Sequence, residues 1–198
     1  SITIPQNVKM IHREVFSSCK KLKTIKFSEN SELTTIGPCF CRDTPIEKVC
    51  IPDYLTEIKT KTFCNCNKLK IVECSKNSQL KAIEKSAFQN VSLESLVIPS
   101  SIELKNKWCQ GLVKLDSIQI IKQEEENIQI YDDRLLLGKS DKSSKEFDVI
   151  LLVLSNVNSL TIPSKIKHIS PYAFSICEQL KTIEFENNSK LKKIDKYA

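Results

Sequence analysis

The side chains in this chain that are best able to bind a metal or form covalent bonds are its cysteines. There are nine of them, an odd number, and four form two Cys-x-Cys pairs: Cys39 with Cys41, and Cys64 with Cys66. Thiolates bind zinc, but structural zinc pairs usually have two to four residues between the cysteines rather than one. Metal binding, a disulfide and burial as small apolar side chains all remain open at this point.

Other catalytic chemistry has little support in the sequence. His12 and His168 are the only histidines and lie in distant parts of the chain, so they are predicted to be separate surface residues. Three glycines are too few for a glycine-rich phosphate loop. No Ser/His/Asp or Cys/His set and no carboxylate pair in an apolar patch suggests acid–base work. We predict a protein without enzymatic activity and without a cofactor.

These residues lie in a repeat. Segments of the type LKTIKF recur along the chain at steps of 24, 23, 24, 22, 42 and 23 residues. They begin at Leu22, Ile46, Leu69, Leu93, Leu115, Val157 and Leu180. Self-similarity at a period in this range is typical of a solenoid, in which each unit stacks on its neighbours.

A second string follows each of these segments, for example IKHISPYAFSIC from Ile166. It places a phenylalanine in one column and, three residues later, a cysteine or a substitute in another, and both columns are predicted to point into the core. The phenylalanine column holds Phe16, Phe40, Phe63, Phe88 and Phe174. The cysteine column holds Cys19, Asp43, Cys66, Val91 and Cys177.

This alignment predicts that two of the cysteines are neighbours. Cys41 and Cys64 each come one residue after the phenylalanine in adjacent repeats, so we expect them to be neighbours and a candidate disulfide. One copy fits less well: counting back from Leu115 puts Cys109 in the phenylalanine column and Trp108 beside it, which predicts a local distortion.

The loops between half-repeats alternate in length. Short loops begin with Ile-Pro, as at Ile51-Pro52 and Ile98-Pro99, and long loops carry Asn-Ser, as in FSENSEL from Phe27. Proline cannot donate to a strand ladder and fits at a strand end, whereas Asn and Ser suit turns. The alternation gives a superperiod of two repeats.

The repeats resemble the leucine-rich repeat family in its BspA-like variant, and SLTIPSKIKHISPYAFSICEQLKTIEF fits that pattern almost throughout. The resemblance implies an α/β fold: a right-handed horseshoe solenoid with a parallel sheet on its concave side, short strands on its convex side and helical turns. Proteins of this kind are frequent among surface antigens. The resemblance therefore implies adhesion or protein recognition at the cell surface or in secreted form, while a cytoplasmic location stays open.

One segment interrupts the period. Residues 121–156 contain two strand-like runs, NIQIYDDRLLLG and EFDVILLVLS, separated by the polar KSDKSSK. Such a pattern predicts a β-hairpin insertion, which we expect to replace the second half of the Leu115 repeat.

The length of 198 residues fits a single domain, predicted to be a fragment of a longer array. Its ends cut through repeats, which suggests end-to-end self-association. The net charge of +6 is spread along the chain without flanking aromatics, so no nucleic acid partner is expected. No stretch approaches the roughly 18 apolar residues that a membrane span requires.

The predicted binding surface is the outward side of the concave sheet. Its mixed charge with a few apolar residues suits a protein partner, although no aromatic hot spot is evident. The predicted residues are Lys23, Lys26, Lys48, Lys70, Ile71, Glu73, Glu94, Val97, Gln119, Lys181 and Glu184.

The alternative function is an intracellular scaffold for protein–protein interaction, because a thiol-rich core fits a reducing compartment as well as a dry interior. A disulfide or N-glycosylation would favour the secreted alternative. Two N-glycosylation motifs occur, at Asn90 and Asn187, and Asn187 is predicted to be the more accessible because it lies in a long loop.

Overall fold

The computed structural model describes residues 1–198 and consists of eighteen β-strands joined by turns. Eight strands form one side of the stack, which we call the front face. They are β1 (Ile2–Ile4), β3 (Ile25–Phe27), β5 (Lys48–Ile51), β7 (Ile71–Cys74), β9 (Ser92–Pro99), β11 (Lys114–Ile121), β15 (Ser159–Ile162) and β17 (Thr182–Phe185).

The remaining strands form the back face. They are β2 (Met10–Ile11), β4 (Thr35–Ile36), β6 (Glu57–Ile58), β8 (Ala82–Ile83), β10 (Glu103–Leu104), β12 (Ile128–Tyr131), β13 (Leu135–Gly138), β14 (Val149–Val153), β16 (His168–Ile169) and β18 (Lys193–Ile194). The chain thus passes between a front strand and a back strand once per repeat, as expected for a solenoid.

All front-face pairs are parallel, and their register follows the sequence period. Lys48 lies beside Ile71, and Ile71 lies beside Ser95. Parallel ladders join β1 to β3, the four strands β5 to β11, and β15 to β17. The predicted solenoid of parallel strands is therefore confirmed.

The core lies between the two faces, where the recurring apolar positions meet. A cluster of 35 buried residues extends from Ile4 to Ile176, and a second cluster of 11 joins the insertion to the repeat that follows it. Alternation explains this: in β5, Val49 and Ile51 are buried while Lys48 and Cys50 are exposed. The aromatic rings of Phe63 and Phe88 stack with centroids 5.5 Å apart.

The predicted helical turns are wrong, since the structure contains no helix. The turn through the phenylalanine column instead has two residues with positive φ, four apart, such as Lys61 (57°) and Asn65 (61°). Left-handed residues break a right-handed helix. Alternate backbone amides here bond to the neighbouring repeat, as Phe63 does to the carbonyl of Ala87 (3.0 Å), while those between them bond three residues back, as Cys64 does to Lys61 (3.2 Å). An α-helix would instead direct every amide to a carbonyl four residues back.

The same hydrogen bonds correct the column assignment of one repeat. The amide of Cys41 donates to the carbonyl of Thr62, in register with Phe63, so Cys41 and not Phe40 occupies the phenylalanine column. Thr44, and not Asp43, then lies in the cysteine column, where its hydroxyl is 3.5 Å from the Cys66 sulfur. The ladder keeps its phase despite the shorter spacing because an amide that lost register would leave hydrogen bonds unmade.

The Trp108 repeat follows the same rule. Lys107 and Gly111 have positive φ at the usual separation of four residues, which puts Cys109 two residues after the first of them, as Phe63 follows Lys61. Trp108, Cys109 and Leu112 are all buried. The backbone therefore keeps the regular turn, and the large indole takes the neighbouring position.

The insertion has one strand more than predicted. The first run divides into β12 and β13, which pair antiparallel, and β13 pairs antiparallel with β14 across the polar KSDKSSK turn. Asp132 and Asp133 have φ values of 51° and 50°, the left-handed pair that a tight hairpin turn requires. β14 pairs parallel with β16, so it takes the place of a regular back strand.

Candidate functional site

The predicted binding residues lie on the front face or directly before its strands, and none of them is buried. Ile71, Glu73 and Val97 are half-buried, and the other predicted residues are exposed. They fall at outward positions because side chains alternate along each strand while the inward set fills the core. The exposed set therefore follows from the strand register.

Ion pairs neutralise the centre of this surface. The Lys48 Nζ lies 2.6 Å from Glu73 Oε1, and the Lys70 Nζ lies 2.7 Å from Glu94 Oε1, each pair joining neighbouring strands. The hydrogen bond from Lys48 holds the pKa of the Glu73 carboxyl below its usual value, although partial burial opposes the shift. Lys23, Lys26 and Lys181 have no such partner, so the unpaired charge lies toward the two ends.

A groove opens where three front strands end, and we call it the open cleft. It lies over β3, β5 and β7 and is bordered by the loops at 27–32, 51–54 and 74–79, with a volume of about 1100 Å³. The middle loop is the short Ile51-Pro52 type, whereas both outer loops are long. The alternation of loop length therefore leaves a notch above the short loop.

The floor and walls of the open cleft carry varied chemistry. Tyr54 lies in it with 47% of its surface exposed. Cys50, the one exposed cysteine, donates its thiol proton to Glu73 Oε1 (3.3 Å), and burial together with this bond raises the pKa of the thiol. Asp53 accepts a hydrogen bond from the Ser75 hydroxyl (2.5 Å). Three predicted residues, Lys26, Lys48 and Glu73, also line this cleft.

The superperiod places an equivalent position above Ile98-Pro99, which we call the closed cleft. There Gln123, from the long loop on one side, donates its side-chain amide to the carbonyl of Ser78 in the long loop on the other side (3.0 Å). Ser101, at the position of Tyr54, bonds to Gln123 as well. The side chain of Gln123 thus spans the notch over β9, whereas the equivalent notch over β5 remains open.

Tyr54 and Asp53 were missed by the sequence reasoning. The turn bond that Leu55 makes to Pro52 recurs as Val8 to Pro5, Ile102 to Pro99 and Ile166 to Pro163. This alignment puts Asn7, Tyr54, Ser101 and Lys165 at one position, where Tyr54 is the only aromatic. Comparing the short loops with one another would have revealed it.

The cysteines have free thiols in the structure. The Cys41 sulfur donates to the carbonyl of Thr62 (3.4 Å), and Cys66 donates to the carbonyl of Cys41 (3.1 Å). The premise of the Cys41–Cys64 pair is wrong, because Cys41 lies opposite Phe63 and Cys64 one residue further on. The disulfide itself stays a prediction, now without its argument from register.

The two histidines do not form a site together. His168 Nε2 lies 2.7 Å from Asp195 Oδ2, and His12 lies in a distant repeat. No group of three or more His, Cys, Asp or Glu side chains is placed to hold a metal ion. The chain also has no helix of the length and apolar character needed to cross a membrane.

The two glycosylation motifs differ in their surroundings. The Asn90 side-chain nitrogen donates to Asn65 Oδ1 (2.7 Å), and Asn65 in turn donates to Asp43 Oδ1 (2.8 Å). This ladder occupies the nitrogen to which a glycan would attach. Asn187 is exposed in the turn after β17. Modification of Asn187 stays a prediction.

Comparison with protein families gives a match over most of the chain. The model of the BspA type leucine-rich repeat region matches six copies over residues 1–126 and 151–198. The unmatched residues 127–150 lie within the predicted insertion. A comparison with curated proteins found no match.

Solved structures with the same fold come from bacteria. The pneumococcal vaccine antigen PcpA is 28% identical with a TM-score of 0.84, covering 97% of this chain and 46% of that one. A leucine-rich cell surface protein from Faecalibacterium prausnitzii A2-165 is 21% identical with a TM-score of 0.65, covering 98% and 59%. A leucine-rich repeat protein from Eubacterium ventriosum is 18% identical with a TM-score of 0.61, covering 87% and 50%. The chain thus spans about half the length of these relatives.

Proposed function

The chain belongs to the BspA type leucine-rich repeat family, and from this premise we propose that it is a non-enzymatic module for protein recognition or adhesion in a cell-surface protein. The observation that carries the proposal is the front face. Parallel strands hold exposed Lys, Glu and apolar side chains in fixed rows, a rigid surface that needs little ordering on binding.

The shape and charge of the surface support a protein rather than a small molecule as partner. The surface is extended and mixed in charge, as protein interfaces are. The description of PcpA as a vaccine antigen and of the Faecalibacterium protein as a cell surface protein supports a location outside the cell.

The proposal is tested by screening the immobilised chain against a displayed library of folded extracellular domains. We then compare two matched charge swaps. Lys70→Glu with Glu94→Lys exchanges an exposed ion pair on the front face, and Lys105→Glu with Glu103→Lys exchanges an exposed pair on the back face. The front swap should abolish binding of the selected partners, while the back swap should leave it unchanged.

Two results would count against this function. Enrichment no greater than with a chain-free support would remove the recognition role, and equal loss with both swaps would move the interface away from the front face. Circular dichroism and unfolding midpoints of both variants serve as the control for folding, because the back swap also removes the pairing of Glu103 with Lys142 (3.6 Å).

The intracellular scaffold is the second candidate, favoured by nine free thiols. Mass spectrometry of protein from its natural source separates the two. A glycan on Asn187 or a disulfide that includes Cys41 or Cys64 supports the secreted form, and unmodified Asn187 with nine thiols supports the scaffold.

End-to-end self-association is part of the proposal. Ile183, Phe185 and Tyr197 are exposed at the last repeat, where β17 has one open edge. Open edges and apolar ends favour stacking of a second repeat surface. Light scattering across a wide concentration range should show growth beyond the monomer, and a constant monomer mass would contradict this part of the proposal.

A further inference from the structure

We propose that the open cleft binds an extended, arginine-bearing segment of a protein partner, with the guanidinium over Tyr54 and beside the carboxylates of Asp53 and Glu29. This inference rests on the proposed recognition function and adds to it a second site, at the edge of the front face, with its own ligand chemistry.

The repeat has a way to close this cleft and does not use it here. In the closed cleft Gln123 reaches across to the carbonyl of Ser78. At the corresponding place in the open cleft the chain has the shorter Asn77, whose backbone amide donates to the Ser75 hydroxyl within its own loop (3.0 Å) and whose side chain makes no hydrogen bond to the opposite loop. Since no hydrogen bond joins the loops 27–32 and 74–79, the space between them is free for a ligand.

The width and volume of the open cleft suit an extended peptide. The outer loops belong to strands two steps apart, which corresponds to about 10 Å at the usual strand spacing. Together with a volume of about 1100 Å³ this is larger than a typical small-molecule site. A groove of that width accommodates an extended peptide with its side chains.

The charged side chains of the open cleft favour a basic ligand. Glu29, Glu32, Asp53 and Glu73 line the cleft against two lysines, Lys26 and Lys48, although the chain as a whole carries a net charge of +6. Lys48 is paired with Glu73, and Glu32 lies near Lys9 (3.6 Å). Neither Glu29 nor Asp53 has a cation within ion-pair distance, so these two carboxylates would gain most from a basic ligand.

The exposed aromatic ring of Tyr54 favours a cationic side chain in the ligand. Tyr54 exposes a large side chain at a position where the other short loops have Asn7, Ser101 and Lys165. A guanidinium stacks on an aromatic face and at the same time pairs with a nearby carboxylate, which a lysine ammonium does less well. An Asp residue directly before an exposed Tyr therefore favours arginine over lysine.

Cys50 provides a reporter inside the cleft. It is the only exposed cysteine and lies on β5 beside Glu73. A peptide bound in the cleft should cover its thiol and slow alkylation. The other eight thiols are buried or half-buried, so we expect them to react more slowly than Cys50 and the signal to report on this site.

The experiment uses the full chain and labelled peptides of about eight residues that differ only in carrying Arg, Lys, Gln or Glu at alternate positions. Fluorescence anisotropy gives the affinity at about 0.05 M and about 0.5 M salt, and alkylation of Cys50 gives protection. Variants are Tyr54→Ser, which installs the side chain of Ser101, and Glu29→Gln with Asp53→Asn, which keeps an oxygen acceptor for Ser75. The control is Glu124→Gln with Glu126→Gln, in an exposed loop.

We expect the Arg peptide to bind best, to protect Cys50 and to weaken at high salt. Tyr54→Ser should lower its affinity about threefold or more, and should affect the Lys peptide less. The Glu29 and Asp53 double variant should abolish the salt dependence. The Glu124 and Glu126 double variant should bind like the unchanged chain.

Several outcomes would overturn the inference: equal binding of Glu and Arg peptides, binding without protection of Cys50, or equal loss in the control variant. A neutral oligosaccharide that protects Cys50 where the Arg peptide does not would replace peptide recognition by glycan recognition. If the front-face swap abolishes partner binding but the Arg peptide fails, only this inference fails. If the Arg peptide binds and no partner is found, only the front-face function fails.

Discussion

The open cleft over Ile51-Pro52 and the closed cleft over Ile98-Pro99 are built from the same alternation of a short loop between two long ones. They differ in a few loop residues. The Gln123 side chain bonds to Ser78 across the closed cleft, while the side chain of Asn77 makes no bond across the open cleft and Tyr54 lines it. The comparison teaches that the repeat sets where a notch forms, and that single side chains decide whether it remains open.

The central strands beneath the two clefts differ as well. In β5 the outward residues are Lys48 and Cys50, and both bond to Glu73 on the neighbouring strand. In β9 the corresponding residues are Ser95 and Val97, which lie beside Ile71 and Glu73. At these positions the central strand of the open cleft therefore carries charged and titratable side chains, and the central strand of the closed cleft carries uncharged ones.

The largest expected effect tests what the clefts share. Ile51→Ala and Ile98→Ala each remove a buried side chain beneath one cleft, with 4% and 0% of the surface exposed. Each should lower the free energy of unfolding by about 2–5 kcal/mol, measured by urea unfolding, because a cavity adds to the lost burial. A cost for Ile51→Ala below about 1 kcal/mol would mean that the open cleft lacks a packed floor.

The next effect tests what closes the second cleft. Gln123→Ala removes the bond to Ser78 and the bond to Ser101, and should cost about 1–2 kcal/mol. Hydrogen exchange should become faster at residues 98–101 and 121–127 and remain unchanged at 51–54. The control is Lys122→Ala, an exposed neighbour of Gln123. Unchanged exchange in the Gln123 variant would show that loop length alone closes the cleft.

A smaller effect concerns the charged floor. The hydrogen bond from Lys48 lowers the pKa of Glu73 from its usual value of 4.5, so the stabilisation is present above that pH and is lost as pH falls through the lowered value. Glu73→Gln should reduce stability at neutral pH by about 0.2–1 kcal/mol, as for a partly exposed ion pair, and should flatten the dependence below pH ~4.5.

Urea unfolding at several pH values measures this, with Glu178→Gln, an exposed residue far from both clefts, as the control. The Glu73→Gln substitution should also accelerate alkylation of Cys50, because the carboxylate of Glu73 contributes to the raised pKa of the thiol. An alkylation rate that does not change would separate the thiol from Glu73.

The smallest effect concerns Tyr54. Its side chain is 47% exposed, so Tyr54→Ser should change the free energy of unfolding by no more than about 0.5 kcal/mol. Differential scanning calorimetry of the variant and the unchanged chain measures it. A loss above about 2 kcal/mol would assign Tyr54 to the packing of the loops rather than to a surface for binding.

Much of the fold could be predicted from the sequence because each repeat presents its apolar residues at the same phase. The parallel pairs, the burial of Val49 and Ile51, and the exposure of Lys48 and Lys70 all follow from the period and from strand alternation. The candidate residues of the front face could be predicted for the same reason. Their ion pairs could not be predicted, since the period fixes which strands are neighbours but not the side-chain rotamers.

Three predictions failed, each for a different reason. In the repeat with Phe40 the count of residues favoured the phenylalanine, yet the backbone ladder placed Cys41 in register with Phe63. The helical turns came from the resemblance, whereas alternate amides of each turn bond to the next repeat and left-handed residues interrupt any helix. The Asp132-Asp133 turn inside the insertion was read as part of a strand.

The sequence by itself thus determined the solenoid, its parallel order, its inward columns and the alternation of its loops, because burial and turn chemistry repeat with the chain. Only the tertiary structure decided which residue fills a column when the spacing shortens, and which notch is open. Those outcomes depend on contacts between residues as distant as Ser78 and Gln123, whose backbone and side-chain directions are set by neighbouring repeats acting together.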